Sequence, residues 1–279
     1  MPPSTSSTAW PRSNRPRSAN SRPDAVLHQL RLFFTALQFF TRLPIPRWVG
    51  FEPDWLHHAS RYFPLVGLVV GIAGALVYWF AALLLPPPVA VLLATATTIY
   101  MTGAFHEDGF ADACDGLGGG HTRERALEIM KDSRIGAYGA IGIGLLLAVK
   151  CTALAHLPPL AAVAALVAAH PFSRLLAASL IWRMEYARAE GKAKPLAQQM
   201  STGEFAIATL CCLPPVLLVG LSGWLPWPNL LAGLVAMALI TLWFARKLAR
   251  RLGGYTGDCL GAVQQLCEAV FYLCALAAR

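Results

Sequence analysis

Three aspartates lie close together in the sequence, at the point where a long apolar stretch ends. Asp108, Asp112 and Asp115 belong to the segment FHEDGFADACDGLGGG. On an α-helix the second lies about 40° and the third about 20° around the axis from the first, so all three carboxylates face one side. Such charges repel one another at membrane depth, and a divalent cation would relieve that repulsion. Oxygen ligands suit Mg²⁺, with Mn²⁺ as the alternative; the competing interpretation is a solvated helix end without a metal.

A segment rich in glycine and charge follows these aspartates. Three glycines at 118–120 precede a helix-like segment at 123–130, and Lys131, Asp132 and Arg134 come next. Glycines let a backbone approach a phosphate closely, and basic side chains bind its oxygens. We therefore expect Lys131 and Arg134 to bind substrate phosphate, and Asp132 to be catalytic or to extend the metal site. The alternative is a basic loop that only fixes membrane topology.

Four further charged residues lie within or beside apolar stretches. Arg174 is expected either to bind substrate phosphate or to form a structural ion pair with one of the aspartates, since a buried arginine needs an anionic partner. Lys150 is open to the same two interpretations. Asp258 precedes the last apolar stretch, where it could cap a helix or serve as a metal carboxylate. Glu268 lies within that stretch and is expected to face the interior.

The composition is that of a membrane protein. Of 279 residues, 56% are hydrophobic and 14% are charged, whereas soluble domains carry about 25% charged residues. The net charge of +8 does not indicate nucleic-acid binding, because basic residues collect on the cytoplasmic side of membrane proteins. We predict an all-α polytopic bundle with about seven spans, preceded by an interfacial or half-inserted helix at 26–40. The predicted spans are 62–85, 89–107, 136–157, 160–182, 205–225, 228–245 and 260–277.

Loop charges predict how the chain is oriented. Residues 1–23 are rich in Ser, Pro and Arg and are expected to form a disordered extension, leaving 24–279 as one integral catalytic domain. Basic residues occur in alternate connections only, which places the N-terminus and every charged connection in the cytoplasm. The Asp cluster, the loop at 183–204 and the turn GGYTGD at 253–258 would then share one active-site mouth. The connections without Lys or Arg are 86–88, 157–159 and 221–229, and the basic ones are 108–134, 183–204 and 246–258.

Together these residues point to metal-assisted transfer of a phosphoryl group to an alcohol. Mg²⁺ would bridge a diphosphate, and an aspartate would accept the hydroxyl proton. The chain has no G-x-x-x-x-G-K-[ST] motif, which argues against ATP hydrolysis, and no G-x-S-x-G motif of serine hydrolases. Residue chemistry alone does not name the substrates.

Five blocks of sequence resemble the cobalamin synthase family, also called adenosylcobinamide-GDP ribazoletransferase. They occur in the family's order over about residues 30–275. The string around the aspartates and LEIMKDSRIG are together the most specific of them. The blocks are FFTRLPIP (39–46), FPLVG (63–67), TGAFHEDGFADACDG (102–116), LEIMKDSRIGAYGA (127–140) and GGYTGDCLGA (253–262).

The resemblance implies a Mg²⁺-dependent enzyme of the bacterial inner membrane that acts late in cobalamin biosynthesis. It would join adenosylcobinamide-GDP to α-ribazole or its 5′-phosphate and release GMP. The family's aspartate motif corresponds to the three aspartates above, and its KDSR-type motif to the basic segment that follows. Relatives tend to carry a glutamate where this chain has Gln265, whereas Glu268 matches. Association with further copies of the chain is left open.

Two other functions are compatible with the residues. The CDP-alcohol phosphotransferases read D-x-x-D-G-x-x-A-R; here Asp112, Asp115 and Gly116 match the opening, but no Ala-Arg follows at the required spacing. A cation-coupled transporter could use the aspartates to bind its ion, although the internal repeats typical of such proteins are not visible.

Overall fold

The protein is built from α-helices joined by short turns. The structure is a computed structural model and describes residues 22–188 and 200–277. Within these residues the only β-type pairing is an isolated bridge between Tyr186 and Tyr255, so the predicted all-α fold is confirmed. The helices are α1 (Arg22–Phe40), α2 (Pro53–Ala59), α3 (Phe63–Ala82), α4 (Pro87–Thr102), α5 (Phe105–Gly119), α6 (Arg123–Ile129), α7 (Ala137–Ala155), α8 (Pro159–Arg183), α9 (Thr202–Ser222), α10 (Trp227–Leu252) and α11 (Gly257–Ala277).

The predicted N-terminal helix is present as α1, which begins at Arg22 and so includes the predicted domain boundary at residue 24. The predicted disorder of residues 1–23 lies almost wholly outside the described residues. Lys192 and Lys194 of the predicted basic loop also lie outside them. The division into an extension and one catalytic domain remains a prediction.

Six described helices are long and apolar enough to cross a membrane, and a seventh span results if α4 and α5 are counted as one bent span. This agrees with the predicted number of about seven. Proline in the first turn starts α3, α4, α8 and α10, where its missing N–H leaves no hydrogen bond unmade. The prolines of the predicted turns at 86–88 and 158–159 therefore begin helices.

The predicted span 89–107 is wrong about where its helix ends. Helix α4 stops at Thr102, because Gly103 adopts a left-handed conformation with φ of 65°. Ala104 follows with φ of 59°, and it is the one non-glycine residue of the described ranges with positive φ. Helix α5 then leaves at 88° to α4. The aspartates therefore lie on a separate helix that is nearly perpendicular to α4.

The centre of the bundle is formed by α8 and α11, in which 72% and 67% of the most apolar 18-residue segment is buried inside the protein. Small residues allow the close helix contacts there, as is usual in membrane bundles. A Cβ added at Gly67 of α3 would collide with the backbone of His170 in α8, and one at Gly71 would meet Leu166. The backbones of α3 and α8 thus touch through a G-x-x-x-G pair.

We expect Gly67→Ala to destabilise the protein by about 1–3 kcal/mol, because the new methyl group would push α3 away from α8. Thermal unfolding of the purified protein in detergent measures the effect. Gly144→Ala is the matched control, since nothing lies within 4 Å of the added Cβ at that position of α7. Equal melting temperatures for the two variants would contradict the close α3–α8 contact.

Helix α5 lies directly against the start of α11. A Cβ at Gly109 would lie 3.0 Å from the backbone of Asp258, and a Cβ at Gly261 would lie 2.9 Å from the carbonyl oxygen of His106. The turn before α11 is in turn tied to the end of α8, because Tyr255 N–H donates to Glu185 O and Ala187 N–H donates to Tyr255 O. These contacts bring three distant segments to one end of the bundle.

Candidate active site

A groove of about 830 Å³ opens where these segments meet. We call it the carboxylate groove. Its charged lining residues come from α5, from the connection after α6, from the segment after α8 and from the start of α11. The aspartate run, the basic connection and the GGYTGD turn therefore meet at one groove, as predicted. The charged residues are Asp108, Asp112, Lys131, Asp132, Arg188 and Asp258.

Two of the three predicted aspartates, Asp108 and Asp112, line this groove. Asp108 is exposed and Asp112 is half-buried. Among the described residues, neither carboxylate accepts a hydrogen bond or forms an ion pair with the protein. Both are therefore available to a ligand that carries cations or hydrogen-bond donors.

Asp115 does not join them. Its carboxylate is only 7% exposed and accepts hydrogen bonds from the N–H groups of Gly136 at 2.7 Å and Gly139 at 2.8 Å. A Cβ at either glycine would collide with this carboxylate. The lack of a side chain at these two positions is therefore needed for the close approach of Asp115. Asp115 thus anchors the start of α7, where the helix dipole also favours a negative charge.

The stripe of three aspartates is therefore not a ready-made metal site. Within residues 22–188 and 200–277, no three His, Cys, Asp or Glu side chains are grouped closely enough to hold a metal ion by themselves. A common helix face does not show what packs against each turn, and metal binding by the three aspartates stays a prediction. Helix α7 covers the turn of Asp115, whereas the turns of Asp108 and Asp112 stay open.

Asp258 is the carboxylate that faces Asp108 and Asp112 from across the groove. It lies in the first turn of α11, and its Oδ2 accepts hydrogen bonds from Arg188 at 2.7 Å and from Thr256 at 3.2 Å. The sequence predicts a capping or metal-binding role for Asp258. It predicts no specific role for Arg188, which belongs to the basic connection 183–204. No local signal singled out Arg188, because its partner lies 70 residues further along the chain.

The segment after α6 divides between two sites. Lys131 and Asp132 line both the carboxylate groove and a neighbouring groove that contains Asp115 and Glu128, whereas Arg134 lines only the neighbouring one. Hydrogen bonds from Arg134 hold the Asp132 carboxylate at 2.7–3.2 Å and lower its pKa to about 2. A carboxylate with so low a pKa is a poor proton acceptor, so Asp132 is better suited to orient cations than to act as the base.

Arg174 lies in a buried cluster instead of the groove. Its Nη1 is 3.7 Å from Glu268 Oε1 and donates a hydrogen bond to His170 O. Of the two interpretations offered by the sequence, the ion pair is the one formed, but its partner is Glu268 and not an aspartate of α5. Direct binding of substrate phosphate by Arg174 has no support from this geometry.

Glu268 is the centre of that cluster and is completely buried, as predicted. Lys150 Nζ lies 2.7 Å from Glu268 Oε2, and His170 Nδ1 lies 2.8 Å from Glu268 Oε1. Gln264 also donates to this carboxylate. The second interpretation of Lys150, a structural ion pair, is thus the one observed. The cluster joins α7, α8 and α11.

Gln265 connects the buried cluster to α5. Its side chain accepts a hydrogen bond from Lys150 at 2.7 Å and donates one to Glu107 at 2.7 Å. A glutamate at this position would place a second carboxylate against Glu107. The amide is therefore matched to its two neighbours, and it links the residue next to Asp108 to the centre of the bundle.

Comparison with known proteins gives the same assignment over nearly the whole chain. The family described as CobS, Cobalamin-5-phosphate synthase, matches residues 32–276. Proteins named adenosylcobinamide-GDP ribazoletransferase from Leptothrix cholodnii and Shewanella frigidimarina are each 48% identical to it, over 89% and 90% of this chain and 96% of their own length. The one from Ralstonia nicotianae is 48% identical over 88% of this chain and 94% of its own.

No solved structure is significantly similar to the chain. The assignment therefore rests on sequence: the match spans α2 to α10 completely, with nearly all of α11, and includes every residue of the carboxylate groove and of the buried cluster. This chain belongs to the cobalamin-5-phosphate synthase family.

Proposed function

We propose that this protein transfers the phosphocobinamide group of adenosylcobinamide-GDP to a hydroxyl of α-ribazole or its 5′-phosphate. The hydroxyl oxygen bonds to the phosphorus on the cobinamide side, the bond from that phosphorus to the oxygen of GMP breaks, and GMP leaves. The proton of the hydroxyl passes to a carboxylate. The observation that carries the proposal is the groove itself. In it, Asp108 and Asp112, which have no partner among the described residues, lie near basic side chains, and relatives of the chain bear this activity in their names.

The groove's charges suit a diphosphate held with Mg²⁺. Magnesium sites in proteins commonly use one or two carboxylates and complete their shell with water and substrate phosphates. Asp108 and Asp112, with Asp258 opposite, would hold the ion, and it would supply neutralisation of the charge that develops on the leaving phosphate. Because the two α5 carboxylates have no partner among the described residues, the donor set fits this ion, and Mn²⁺ is a chemically similar substitute.

The protein's own residues would position the reacting groups. Lys131 lines the groove as an exposed cation that could bind phosphate oxygens, and Arg188 is held by Asp258 at 2.7 Å. Asp112 is half-buried and has no partner among the described residues, which makes it the best placed carboxylate to accept the hydroxyl proton. Asp115 acts by holding the start of α7 in place.

The assay that tests the proposal uses purified full-length protein with adenosylcobinamide-GDP and α-ribazole, with and without Mg²⁺. We expect GMP and the joined corrinoid product to form only when both substrates and the metal ion are present. GMP release without the acceptor would indicate a hydrolase. Accumulation of a cation in vesicles without GMP release would instead favour the transporter, and the match to one enzyme family already argues against the CDP-alcohol class.

We also propose that the groove faces the cytoplasm of a bacterial inner membrane. The three connections without Lys or Arg lie at the helix ends opposite the basic ones, and basic connections stay in the cytoplasm. An impermeant thiol reagent added to intact cells should label cysteines placed at Pro87 and Trp224, and should spare one at His121, which is exposed. Gly120 itself is buried and a Cβ there would collide with Ala126, so its exposed neighbour is the usable position. The seven native cysteines are all free, so replacing them removes no disulfide. Labelling of position 121 alone would reverse the orientation.

A further inference from the structure

A buried hydrogen bond joins the first turn of α5 to the middle of α11. Gln265 Nε2 donates to Glu107 Oε1 at 2.7 Å, and Gln265 is only 1% exposed. The Gln265 Oε1 atom accepts from Lys150 Nζ, which also donates to Glu268. Both ends of the amide are therefore engaged, one with a cation and the other with a carboxylate. We call the contact between Glu107 and Gln265 the α5 tether.

The carboxylate of Glu107 depends on this contact. Its Oε2 is inaccessible to solvent and has no hydrogen-bond partner among the described residues, so the carboxylate relies on the bond that Gln265 donates to Oε1. A buried carboxylate without donors is costly, because it has lost its hydration and gained nothing in return. The α5 tether therefore keeps Glu107 turned towards α11.

Within the part of the chain that the structure describes, the α5 tether is also the one side-chain hydrogen bond made by residues 105–108, the first turn of α5. The helix begins directly after Gly103 and Ala104, both left-handed, and no side chain caps its N-terminus. Asp115 anchors the helix at its other end, against the start of α7. The polar anchor nearest to Asp108 is thus its neighbour in the sequence, Glu107.

The direction of Glu107 sets the directions of the groove carboxylates. Successive residues of an α-helix lie about 100° apart around its axis, and Asp112 lies about 40° from Asp108. Glu107 contacts the interior while Asp108 and Asp112 line the carboxylate groove. A rotation of this part of α5 that separated Glu107 from Gln265 would therefore also turn both aspartates relative to Asp258.

We propose that Glu107 and Gln265 are positioning residues for the reaction. Through the α5 tether they fix the rotation of the first half of α5 and so direct Asp108 and Asp112 into the carboxylate groove. Neither Glu107 nor Gln265 lines the groove, so both act through α5 and not on the substrate. The proposal rests on the proposed function, because that function gives the two aspartates their role.

The test compares Gln265→Glu with the exchanged pair, Glu107→Gln combined with Gln265→Glu. The single variant places two carboxylates against each other. We expect it to lower kcat about tenfold or more and to raise the Mg²⁺ concentration for half-maximal rate, since residues that orient metal ligands typically contribute about 10–100-fold. The exchanged pair restores an amide facing a carboxylate and should recover most of both values.

A second readout does not depend on turnover. Hydrogen–deuterium exchange of the backbone amides of residues 105–112 should become faster in Gln265→Glu and return to the wild-type rate in the exchanged pair, because exchange reports local opening. Asn229→Leu is the matched control, since it removes a buried hydrogen bond of 3.1 Å to Ala275 O at the other end of α11. It should lower the melting temperature without changing exchange in α5 or the Mg²⁺ requirement.

Wild-type exchange and turnover in Gln265→Glu would overturn the proposal, and so would a loss that the exchanged pair does not recover. An equal rise in the Mg²⁺ requirement of Asn229→Leu would reduce the α5 tether to a general contribution to stability. If Gln265→Glu does not fold, Glu107→Ala replaces it, with exchange and Mg²⁺ requirement as the readouts. If the wild-type protein releases no GMP, the proposed function fails, and exchange in residues 105–112 then decides the α5 tether separately, because an unchanged rate would reject it.

Discussion

Asp112→Asn should lower kcat by about 10²–10³-fold or more, while the protein still inserts and remains folded. The substitution keeps the shape of the side chain but removes the half-buried, unpaired carboxylate of the carboxylate groove. If Asp112 both accepts the proton and helps to hold Mg²⁺, the variant should also need more Mg²⁺ for half-maximal rate. GMP release from adenosylcobinamide-GDP, measured over a range of Mg²⁺ concentrations, checks both effects.

Two other aspartates serve as comparisons. Asp54→Asn, on the exposed face of α2 and outside the groove, should have no effect on turnover. Asp115→Asn should instead lower the stability of the protein, because an amide cannot accept from both Gly136 and Gly139 as well as a carboxylate does. Near-normal turnover of Asp112→Asn would mean that the reacting phosphate binds elsewhere.

Glu268→Gln should lower the free energy of unfolding by about 3–5 kcal/mol, because it leaves Lys150 and Arg174 buried without their carboxylate. The change is isosteric, so lost packing contributes little. Thermal or denaturant unfolding in a fixed detergent measures the loss. Adding Lys150→Met to this variant should restore part of it, since the double variant buries one cation fewer.

The matched control is Glu128→Gln, which breaks an ion pair with Arg125 in which both side chains are more than half exposed. Exposed pairs contribute about 0–1 kcal/mol, so this change should be nearly neutral. If both substitutions had equally small effects, the cluster around Glu268 would not hold the helices together. If Glu268→Gln lost turnover without losing stability, Glu268 would instead have a role in catalysis.

The overall fold could be predicted from the sequence because a bilayer requires long apolar helices, and such helices can be counted as apolar stretches along the chain. The error at the end of α4 shows the limit of that reasoning. Hydropathy runs on without a break through Gly103 and Ala104, and only the left-handed backbone at these two residues turns the chain through 88°. An isolated glycine in an apolar stretch is not enough to predict such a turn.

The sequence predicted which charged residues belong to the site but not which of them contact one another. The sequence identified the aspartates of α5, the basic segment after α6 and Asp258, and all three groups contribute to the carboxylate groove. It could not show that α7 would cover Asp115. Nor could it show that the partner of Arg174 is Glu268, because 94 residues of sequence separate them and such pairs are set by helix packing.

The link through Gln265 has a consequence for how the protein matures. Glu107, next to Asp108, reaches the buried cluster of α7, α8 and α11 through hydrogen bonds of 2.7 Å. We therefore expect the carboxylates of α5 to take up their places only after helices from both halves of the chain have assembled. A newly inserted copy that is still incomplete should be catalytically silent. Such timing would protect an activated diphosphate from wasteful cleavage by water in half-built copies of the enzyme.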